Sequence, residues 1–292
     1  MRIFVTGGTG AIGSAVVREL IARGHEVIGL ARSEGAASRI AACGAIPMMG
    51  DIALPELWAT RLPAIDAVIH TACDFASDMG AIERHLLDVL LPALAAQPNK
   101  VRLITTGGCW LFGATDDTVV TEATPFDPLP AFAWMVPQLQ RVLASQSVHG
   151  IVIHPAMVYE PAGGVFRRFL HDAKEGRAIR IVGREQIRWP LVHSEDLAAL
   201  YALALEHAPA GSSYIGAAIE SYPVGQIASA FAKRFGGPQT PEIVSTDTIA
   251  TELGEWARGY GRDQHLSGAK ARSELGWRPS HLDPEPEIAN LP

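Results

Sequence analysis

The sequence contains little cysteine and no apolar run that could cross a bilayer. Its three cysteines, Cys43, Cys73 and Cys109, form no Cys-x-x-Cys pair, so neither a zinc site nor a disulfide framework is indicated and we predict no metal centre. Cysteines that stay reduced are typical of the cytoplasm, which is the location we predict. No apolar stretch reaches the roughly 20 residues of a membrane-spanning helix, and no basic segment with a cleavage site precedes the first strand. We therefore expect no membrane partner.

Positive charge is also scarce. The net charge is −7 at neutral pH, which argues against nucleic acid as a partner. Hydrophobic residues make up 48% of the chain and charged residues 19%, a composition typical of a globular protein with a full core. These properties favour a small molecule as the partner.

Continuous apolar runs alternate with helical patterns through the first half of the chain. Four runs read as buried strands, namely Arg2–Thr6, Ala67–His70, Val101–Thr105 and Ile151–His154. Strands of this kind, separated by helices, are typical of a parallel sheet covered on both faces. We predict an α/β fold, a Rossmann-type doubly wound parallel sheet with a smaller C-terminal lobe. Residues 1–155 would form the dinucleotide-binding domain, rejoined by about 190–216, and residues 156–292 would form mainly the substrate-binding lobe.

A glycine-rich turn joins the first strand to the first helix. It satisfies the dinucleotide fingerprint with Gly8-x-Gly10-x-x-Gly13 and its shorter-chain variant with Gly7-x-x-Gly10-x-x-Gly13. One glycine permits the tight turn, another lets a diphosphate approach the backbone, and the last lets the helix pack on the strand. The helix N-terminus then offers amides to the phosphates. An ordinary glycine-rich turn is the alternative; the residues predicted to bind cofactor here are Gly7, Thr9, Gly10, Ala11, Ile12 and Gly13.

The end of the second strand indicates which dinucleotide is bound. Sites for NAD usually place an acidic residue there, but this chain has Arg32 in the segment Leu30-Ala31-Arg32-Ser33. A guanidinium pairs well with a 2′-phosphate, so we predict NADP and leave NAD possible. The alternative is that Arg32 is a solvated surface residue.

Several motifs in order resemble the extended short-chain dehydrogenase/reductase superfamily, in particular its NAD-dependent epimerase/dehydratase type. The segments that carry this resemblance are Thr6–Gly13, Gly50–Ile52, Val68–Ala72, Ile104–Gly113, His154–Tyr159, Leu191–Ala198 and Ala269–Pro279. The resemblance implies further cofactor contacts at Asp51, Ile52, Thr71, Ala72, Pro155 and Met157. It also implies a homodimer as a possible assembly. Asp51 could instead be a turn residue, and Thr71 and Ala72 could simply end a buried strand. His193 and Asp196 read better as structural residues than as catalytic ones.

The catalytic tyrosine and lysine that the resemblance implies are missing. None of the five tyrosines is followed four residues later by lysine. In the expected region, helix spacing places Trp134 and Gln138 on one face, where tyrosine and lysine would stand. The usual serine is also absent, although Thr106 could supply a hydroxyl. We therefore name Thr106, Trp134 and Tyr159 as candidate catalytic residues.

A substrate pocket is expected above the nicotinamide. Its predicted lining is Cys73, Asp74, Trp110, Trp134, Tyr159, Arg188 and Trp189, and its three tryptophans favour a flat apolar or aromatic substrate, unless they are core residues. Two functions stay open. The first is an NADP-dependent oxidoreductase of the short-chain dehydrogenase/reductase type, with a proton from Asp74, Tyr159, His193 or water. The second is a non-catalytic NADP-binding sensor or protein-interaction module.

Overall fold

The structure is a computed structural model, and it describes residues 1–74, 77–115, 117–160 and 163–292. The first half of the chain alternates strands with helices. Its elements are β1 (Arg2–Thr6), α1 (Ala11–Ala22), β2 (Glu26–Ala31), α2 (Glu34–Ala42), β3 (Ile46–Met49), β4 (Ala67–His70), α3 (Met79–Ala95), β5 (Arg102–Thr106), α4 (Met135–Ala144) and β6 (His149–Pro155).

The second half contains shorter elements. They are β7 (Met157–Glu160), β8 (Gly163–Gly164), α5 (Arg167–Lys174), β9 (Arg180–Val182), β10 (Arg188–His193), α6 (Ser194–His207), β11 (Ser212–Gly216), β12 (Ile219–Pro223), α7 (Val224–Phe235), β13 (Glu242–Val244), α8 (Thr246–Leu253), α9 (Ala269–Leu275) and α10 (Glu285–Ala289). Short 3-10 helices lie at Pro55–Leu57, Ala59–Arg61, Cys109–Leu111, Pro130–Phe132 and Glu255–Gly261. Within the described ranges, no helix is both long and apolar enough to cross a membrane.

One seven-stranded sheet organises the molecule, in the order β11-β6-β5-β4-β1-β2-β3. All of its neighbouring strands pair in parallel. The central strand β1 is fully buried at Ile3, Phe4 and Val5, because both faces of a doubly wound sheet are covered. This confirms the predicted Rossmann-type fold.

The strand order reverses between β1 and β4, and this places the functional site. In an open α/β sheet, ligands bind beyond the carboxyl ends of the strands at the point where the order reverses. Thr6 ends β1 and His70 ends β4, and the two residues are aligned in the sheet. The glycine turn that follows β1 therefore opens at the edge where a ligand is expected.

Late segments of the chain divide between this sheet and smaller ones. Strand β11 pairs with β6 in the large sheet, while β12, β10, β7 and β8 form a four-stranded sheet and β13 pairs with β9. Helix α6 contacts α1. The boundary near residue 155 between a cofactor domain and a substrate lobe stays a prediction.

The side chain that caps α6 belongs to His193. The helix begins at Ser194, and the Nδ1 atom of His193 accepts a hydrogen bond of 3.3 Å from the backbone amide of Glu195. Pro137 lies in the first turn of α4, where the missing N–H breaks no intrahelical hydrogen bond.

Candidate functional site

The glycine turn holds its shape because two of its glycines have no room for a side chain. Gly7 has a positive φ of 75°, and a Cβ there would lie 2.6 Å from the amide nitrogen of Ala72. A Cβ at Gly13 would lie 2.2 Å from the carbonyl oxygen of Gly7 and 2.7 Å from Oγ1 of Thr71. These two glycines therefore let α1 and the end of β4 approach the turn closely.

Gly10 differs from Gly7 and Gly13 because a side chain at this position would point into open space. A Cβ there would have only the Gly7 carbonyl oxygen near it, at 3.4 Å. Gly10 is the N-cap of α1, which has no side-chain cap and no acidic residue in its first turn. The first amides of a helix have no carbonyl one turn before them, so this end suits a diphosphate in both hydrogen bonding and charge.

Arg32 stands at the rim of the site, just past the end of β2. Its side chain is 68% exposed, and Nη1 lies 3.3 Å from a carboxylate oxygen of Asp74. Ser33 caps the following helix by accepting a hydrogen bond from the amide of Ala36. The guanidinium therefore lies at the carboxyl edge of the sheet, where the cofactor is expected, and is accessible to an anion.

Asp51 and Ile52 follow the third strand. The Asp51 carboxylate accepts a hydrogen bond of 2.9 Å from the amide of Ala53, and its carbonyl accepts one of 2.7 Å from Nε1 of Trp58. Both contacts hold the turn itself, which agrees with the turn alternative for Asp51. Ile52 packs partly buried against the core of this side of the sheet.

A single cleft extends from the glycine turn across the carboxyl edge of the sheet. Its volume is about 430 Å³. Six residues predicted to contact the cofactor line it, namely Ala11, Ile12, Thr71, Ala72, Pro155 and Met157. Thr71 is fixed there by a hydrogen bond of 2.8 Å from its hydroxyl to the carbonyl of Thr6.

Part of the cleft lining is aromatic. Its rings belong to Trp110, Phe132, Trp134, Trp256 and Tyr260. Trp110 is central, with ring centroids of Phe132 at 5.6 Å, Trp256 at 6.2 Å and Tyr260 at 5.4 Å. The sequence reading missed Trp256 and Tyr260, which lie on a late 3-10 helix brought to the cleft by tertiary packing.

Two of the three candidate catalytic residues, Thr106 and Trp134, line the cleft, but their polar groups already make hydrogen bonds within the protein. The hydroxyl of Thr106 donates to the carbonyl of His70 at 2.8 Å and lies 2.6 Å from the hydroxyl of Tyr201. Nε1 of Trp134 donates to the carbonyl of Ala131 at 3.0 Å. Gln138 lines the cleft beside Trp134, as the helix spacing predicted. Neither side chain is therefore placed to donate a proton to a substrate in the cleft.

Tyr159 lies behind the cleft instead of lining it. It is fully buried, stacks on Phe166 at 4.7 Å and meets the edge of the His193 ring. Its hydroxyl has no hydrogen-bond partner among the described residues. Burial, followed by the charges of nearby carboxylates, raises the pKa of this phenol. Such a group is a poor acid at neutral pH.

Arg188 and Trp189 were predicted in the pocket, and the structure places them elsewhere. The Arg188 guanidinium contacts Asp263 at 3.1 Å and Asp117 at 3.0 Å. Trp189 is buried and donates from Nε1 to the carbonyl of Tyr260. Both residues belong to β10 and lie outside the cleft lining, as does Asp74, which was also predicted in the pocket.

Cys73 lines the cleft and its sulfur lies 3.3 Å from that of Met79. Burial of the thiol, helped by the charges of Glu83 and Asp74, raises its pKa to about 12. Cys73 therefore stays a neutral thiol at physiological pH, which argues against a nucleophilic role.

His193 belongs to a separate polar cluster at the start of α6. Its ring stacks on that of His281 at 3.9 Å, and Nε2 lies 3.6 Å from Glu287. Asp196 accepts hydrogen bonds from the backbone amides of Ser280 and His281. This cluster attaches the C-terminal segment to α6, and none of its residues is among the described residues that line the cleft. This agrees with a structural role for His193 and Asp196.

The sequence reading also missed an ion pair in the cleft wall. His70, at the end of β4, and Glu83, on α3, both line the cleft, and Nε2 of His70 lies 2.9 Å from Oε2 of Glu83. His70 was part of a recognised motif, but Glu83 has no local signal. The two meet only because α3 crosses over the end of the strand.

Comparison with known proteins identifies the family. Residues 3–216 match the NAD dependent epimerase/dehydratase family. The chain is 32% identical over 289 residues to an uncharacterized protein of Schizosaccharomyces pombe, covering 96% of each. It is 27% identical to 4-hydroxy-2-methyl-3-oxo-4-farnesyl-3,4-dihydroquinoline-1-oxide ketoreductase of Stigmatella aurantiaca, covering 75% of this chain and 70% of that protein. The solved human epimerase family protein SDR39U1 with NADPH shares the fold, with a TM-score of 0.81 at 21% identity over 100% of each chain.

The chain belongs to the NAD dependent epimerase/dehydratase family. Membership confirms the resemblance found in the sequence, the assignment to enzymes of the short-chain dehydrogenase/reductase type, and a nicotinamide dinucleotide as the cofactor. The glycine turn fits that cofactor, because Gly10 leaves its approach open and the amides of α1 face it.

Proposed function

We propose that this protein is an NADP-dependent oxidoreductase of a small apolar or aromatic substrate that works without the tyrosine and lysine pair. One observation carries the proposal: a single cleft is lined both by the cofactor-side residues Ala11 and Ile12 and by aromatic side chains. A nicotinamide and a flat substrate would therefore lie together in a mostly apolar space.

The preference for NADP rests on Arg32. Its exposed guanidinium is held by one carboxylate contact to Asp74 at 3.3 Å, which a doubly charged 2′-phosphate can replace with stronger charge-assisted hydrogen bonds. An acidic residue that would hold the free ribose hydroxyls of NAD is absent from the segment 30–33.

The substrate class rests on the cleft walls. Trp110, Trp256 and Tyr260 present flat apolar surfaces, and aromatic ligands gain from stacking as well as from burial. A relative is named as a ketoreductase of a farnesylated dihydroquinoline oxide, which supports a carbonyl in an apolar molecule as the group reduced.

The proposal assigns the following roles in binding and catalysis to the residues of this chain. The amides at the start of α1 bind the diphosphate, and Arg32 binds the 2′-phosphate. Pro155 and Met157 line the cleft where the nicotinamide is expected, and the aromatic walls orient the substrate and exclude water. The cofactor supplies the hydride, so the protein must provide orientation and a proton.

The test combines binding with turnover. NADPH binding would be followed by quenching of tryptophan fluorescence, and consumption of NADPH would be followed with para-nitrobenzaldehyde, acetophenone and phenanthrenequinone. We expect micromolar or tighter binding of NADPH and consumption with at least one of these carbonyl compounds. Tight binding without consumption would contradict the proposal and favour the sensor, and absence of binding would contradict both.

Two further expectations from the sequence stay proposals. The cytoplasm is the proposed location, since the cysteines are few and unpaired. A homodimer is the proposed assembly, and light scattering of the purified protein tests it directly.

A further inference from the structure

The wall of the cleft contains a carboxylate paired with an imidazole. Oε2 of Glu83 and Nε2 of His70 are 2.9 Å apart, and Nδ1 of His70 lies 2.6 Å from the hydroxyl oxygen of Thr6. The side chains of His70 and Glu83 are only 5% and 13% exposed. The pair is thus shielded from bulk water except at the cleft that both residues line.

The environment of the pair favours the protonated form of His70. Burial alone lowers the pKa of His70, but the charge of Glu83 and the hydrogen bond to it outweigh burial and raise the pKa above its ordinary value. Cys73 is a further titratable group beside the pair, and burial raises the pKa of its thiol to about 12. Asp74, one residue further on, contacts Arg32.

Two alternative proton donors in the cleft are already used. The hydroxyl of Thr106 donates to the carbonyl of His70, and the indole N–H of Trp134 donates to Ala131. Tyr159 lies outside the cleft lining, and Tyr260, which lines it, is a poor acid because burial raises the pKa of its phenol. Glu83 and His70 both line the cleft and form a hydrogen-bonded pair of titratable groups with access to bound substrate.

We propose that Glu83 is the catalytic acid of this cleft and that His70 is the positioning residue that returns its proton. The inference rests on the proposed function. The carbonyl carbon receives the hydride that NADPH supplies, so the substrate gains two electrons and the coenzyme is oxidised to NADP⁺. Nε2 of His70 passes its proton to Glu83 as Glu83 protonates the carbonyl oxygen, which becomes a hydroxyl. The pair is left as a neutral imidazole and a carboxylate, and water restores the proton on His70.

The test uses Glu83→Gln, which keeps the size of the side chain and a carbonyl oxygen that can accept from Nε2 of His70. The matched control is Glu56→Gln. Glu56 also pairs with a histidine, His85, at 3.1 Å, but both side chains are about half exposed and lie outside the cleft lining. Both variants remove one histidine–glutamate ion pair, so only the position of the pair differs.

We expect Glu83→Gln to lower kcat for para-nitrobenzaldehyde by about 100-fold, the usual effect of losing a general acid, with KM and NADPH affinity unchanged. Reduction of phenanthrenequinone should fall much less, because the hydroquinone anion is a stable product that needs no immediate protonation. A merely structural role would lower both rates alike. Glu56→Gln should leave both rates unchanged.

A second readout does not depend on turnover. Histidine ring signals followed by NMR against pH should show a lower pKa for His70 in Glu83→Gln than in the wild-type protein, and no change in Glu56→Gln. An unchanged His70 pKa, or equal rate losses for aldehyde and quinone, would overturn the inference. A wild-type protein that binds NADPH but consumes none with any carbonyl compound would instead overturn the proposed function, and the role of Glu83 with it.

Discussion

Two glycines of the phosphate turn should respond in opposite ways to the same added methyl group. At Gly13, the new Cβ of Gly13→Ala would lie 2.2 Å from the carbonyl oxygen of Gly7, a backbone atom that cannot move aside. At Gly10, φ is −82° and ψ is 173°, which alanine adopts easily, and the nearest atom is 3.4 Å away. The first change should damage the fold, and the second should damage only the ligand site.

The magnitudes follow from these contacts. Overpacking at Gly13 should cost about 1–3 kcal/mol of the free energy of unfolding, enough to lower Tm by several degrees. Gly10→Ala should be neutral or slightly stabilising, by up to about 1 kcal/mol, because alanine has less freedom in the unfolded chain. Its methyl group occupies the side from which a diphosphate approaches, so NADPH affinity should fall at least tenfold, or about 1.4 kcal/mol.

Thermal unfolding and a fluorescence titration with NADPH measure the two effects on the same samples. The expected pattern is a lowered Tm for Gly13→Ala, and an unchanged or raised Tm with weakened binding for Gly10→Ala. If Gly10→Ala binds NADPH as tightly as the wild-type protein does, the diphosphate does not lie against this turn and the reasoning is refuted.

Three further predictions follow from the ion pairs. Arg32→Ala should weaken NADPH binding by about tenfold or more and leave NADH binding unchanged, measured by paired titrations. Arg188→Met should lower the free energy of unfolding by about 1–2 kcal/mol in urea denaturation, because the buried Asp263 loses a charged partner, while NADPH consumption is unchanged. Because the folded pKa of His70 is raised by Glu83, the stability that this pair contributes is complete below about pH 6.5 and is lost as pH rises through the folded pKa.

Each of these has a control or a contradicting result. Arg2→Ala controls for Arg32→Ala, since Arg2 also carries one carboxylate contact, to Glu26, but lies at the opposite edge of the sheet. Loss of turnover in Arg188→Met would contradict the placement of Arg188 outside the substrate site. A difference in unfolding free energy between the wild-type protein and Glu83→Gln that does not shrink above neutral pH would contradict the third prediction.

Local features made the fold and the cofactor side of the cleft predictable. The buried part of a parallel strand covered on both faces is apolar, as β1 is at Ile3, Phe4 and Val5. Glycine adopts a positive φ such as that of Gly7 without steric cost. The helix spacing that placed Trp134 beside Gln138 is equally local, and both residues line the cleft.

The rest of the site depends on contacts between distant segments. Tyr260 reaches the cleft because Trp110 packs against the backbone of Gly259, where a Cβ would lie 2.3 Å from the indole ring. Arg188 could bind an anionic substrate on the evidence of the sequence. It instead pairs with Asp263, which lies 75 residues further along the chain, and is not part of the cleft lining. Glu83 looks like any exposed helical glutamate until α3 is placed over β4. No local sequence pattern near these residues predicts such tertiary contacts.

The central claim is that the cofactor and an apolar carbonyl compound meet in one cleft. Incubation with NADPH deuterated at C4 of the nicotinamide and para-nitrobenzaldehyde, followed by mass spectrometry of the alcohol, tests this most directly. The account predicts one deuterium in the product when the correct face of the nicotinamide is labelled, and none when the other face is labelled. Unlabelled product from both cofactors, or no alcohol despite bound NADPH, would contradict it.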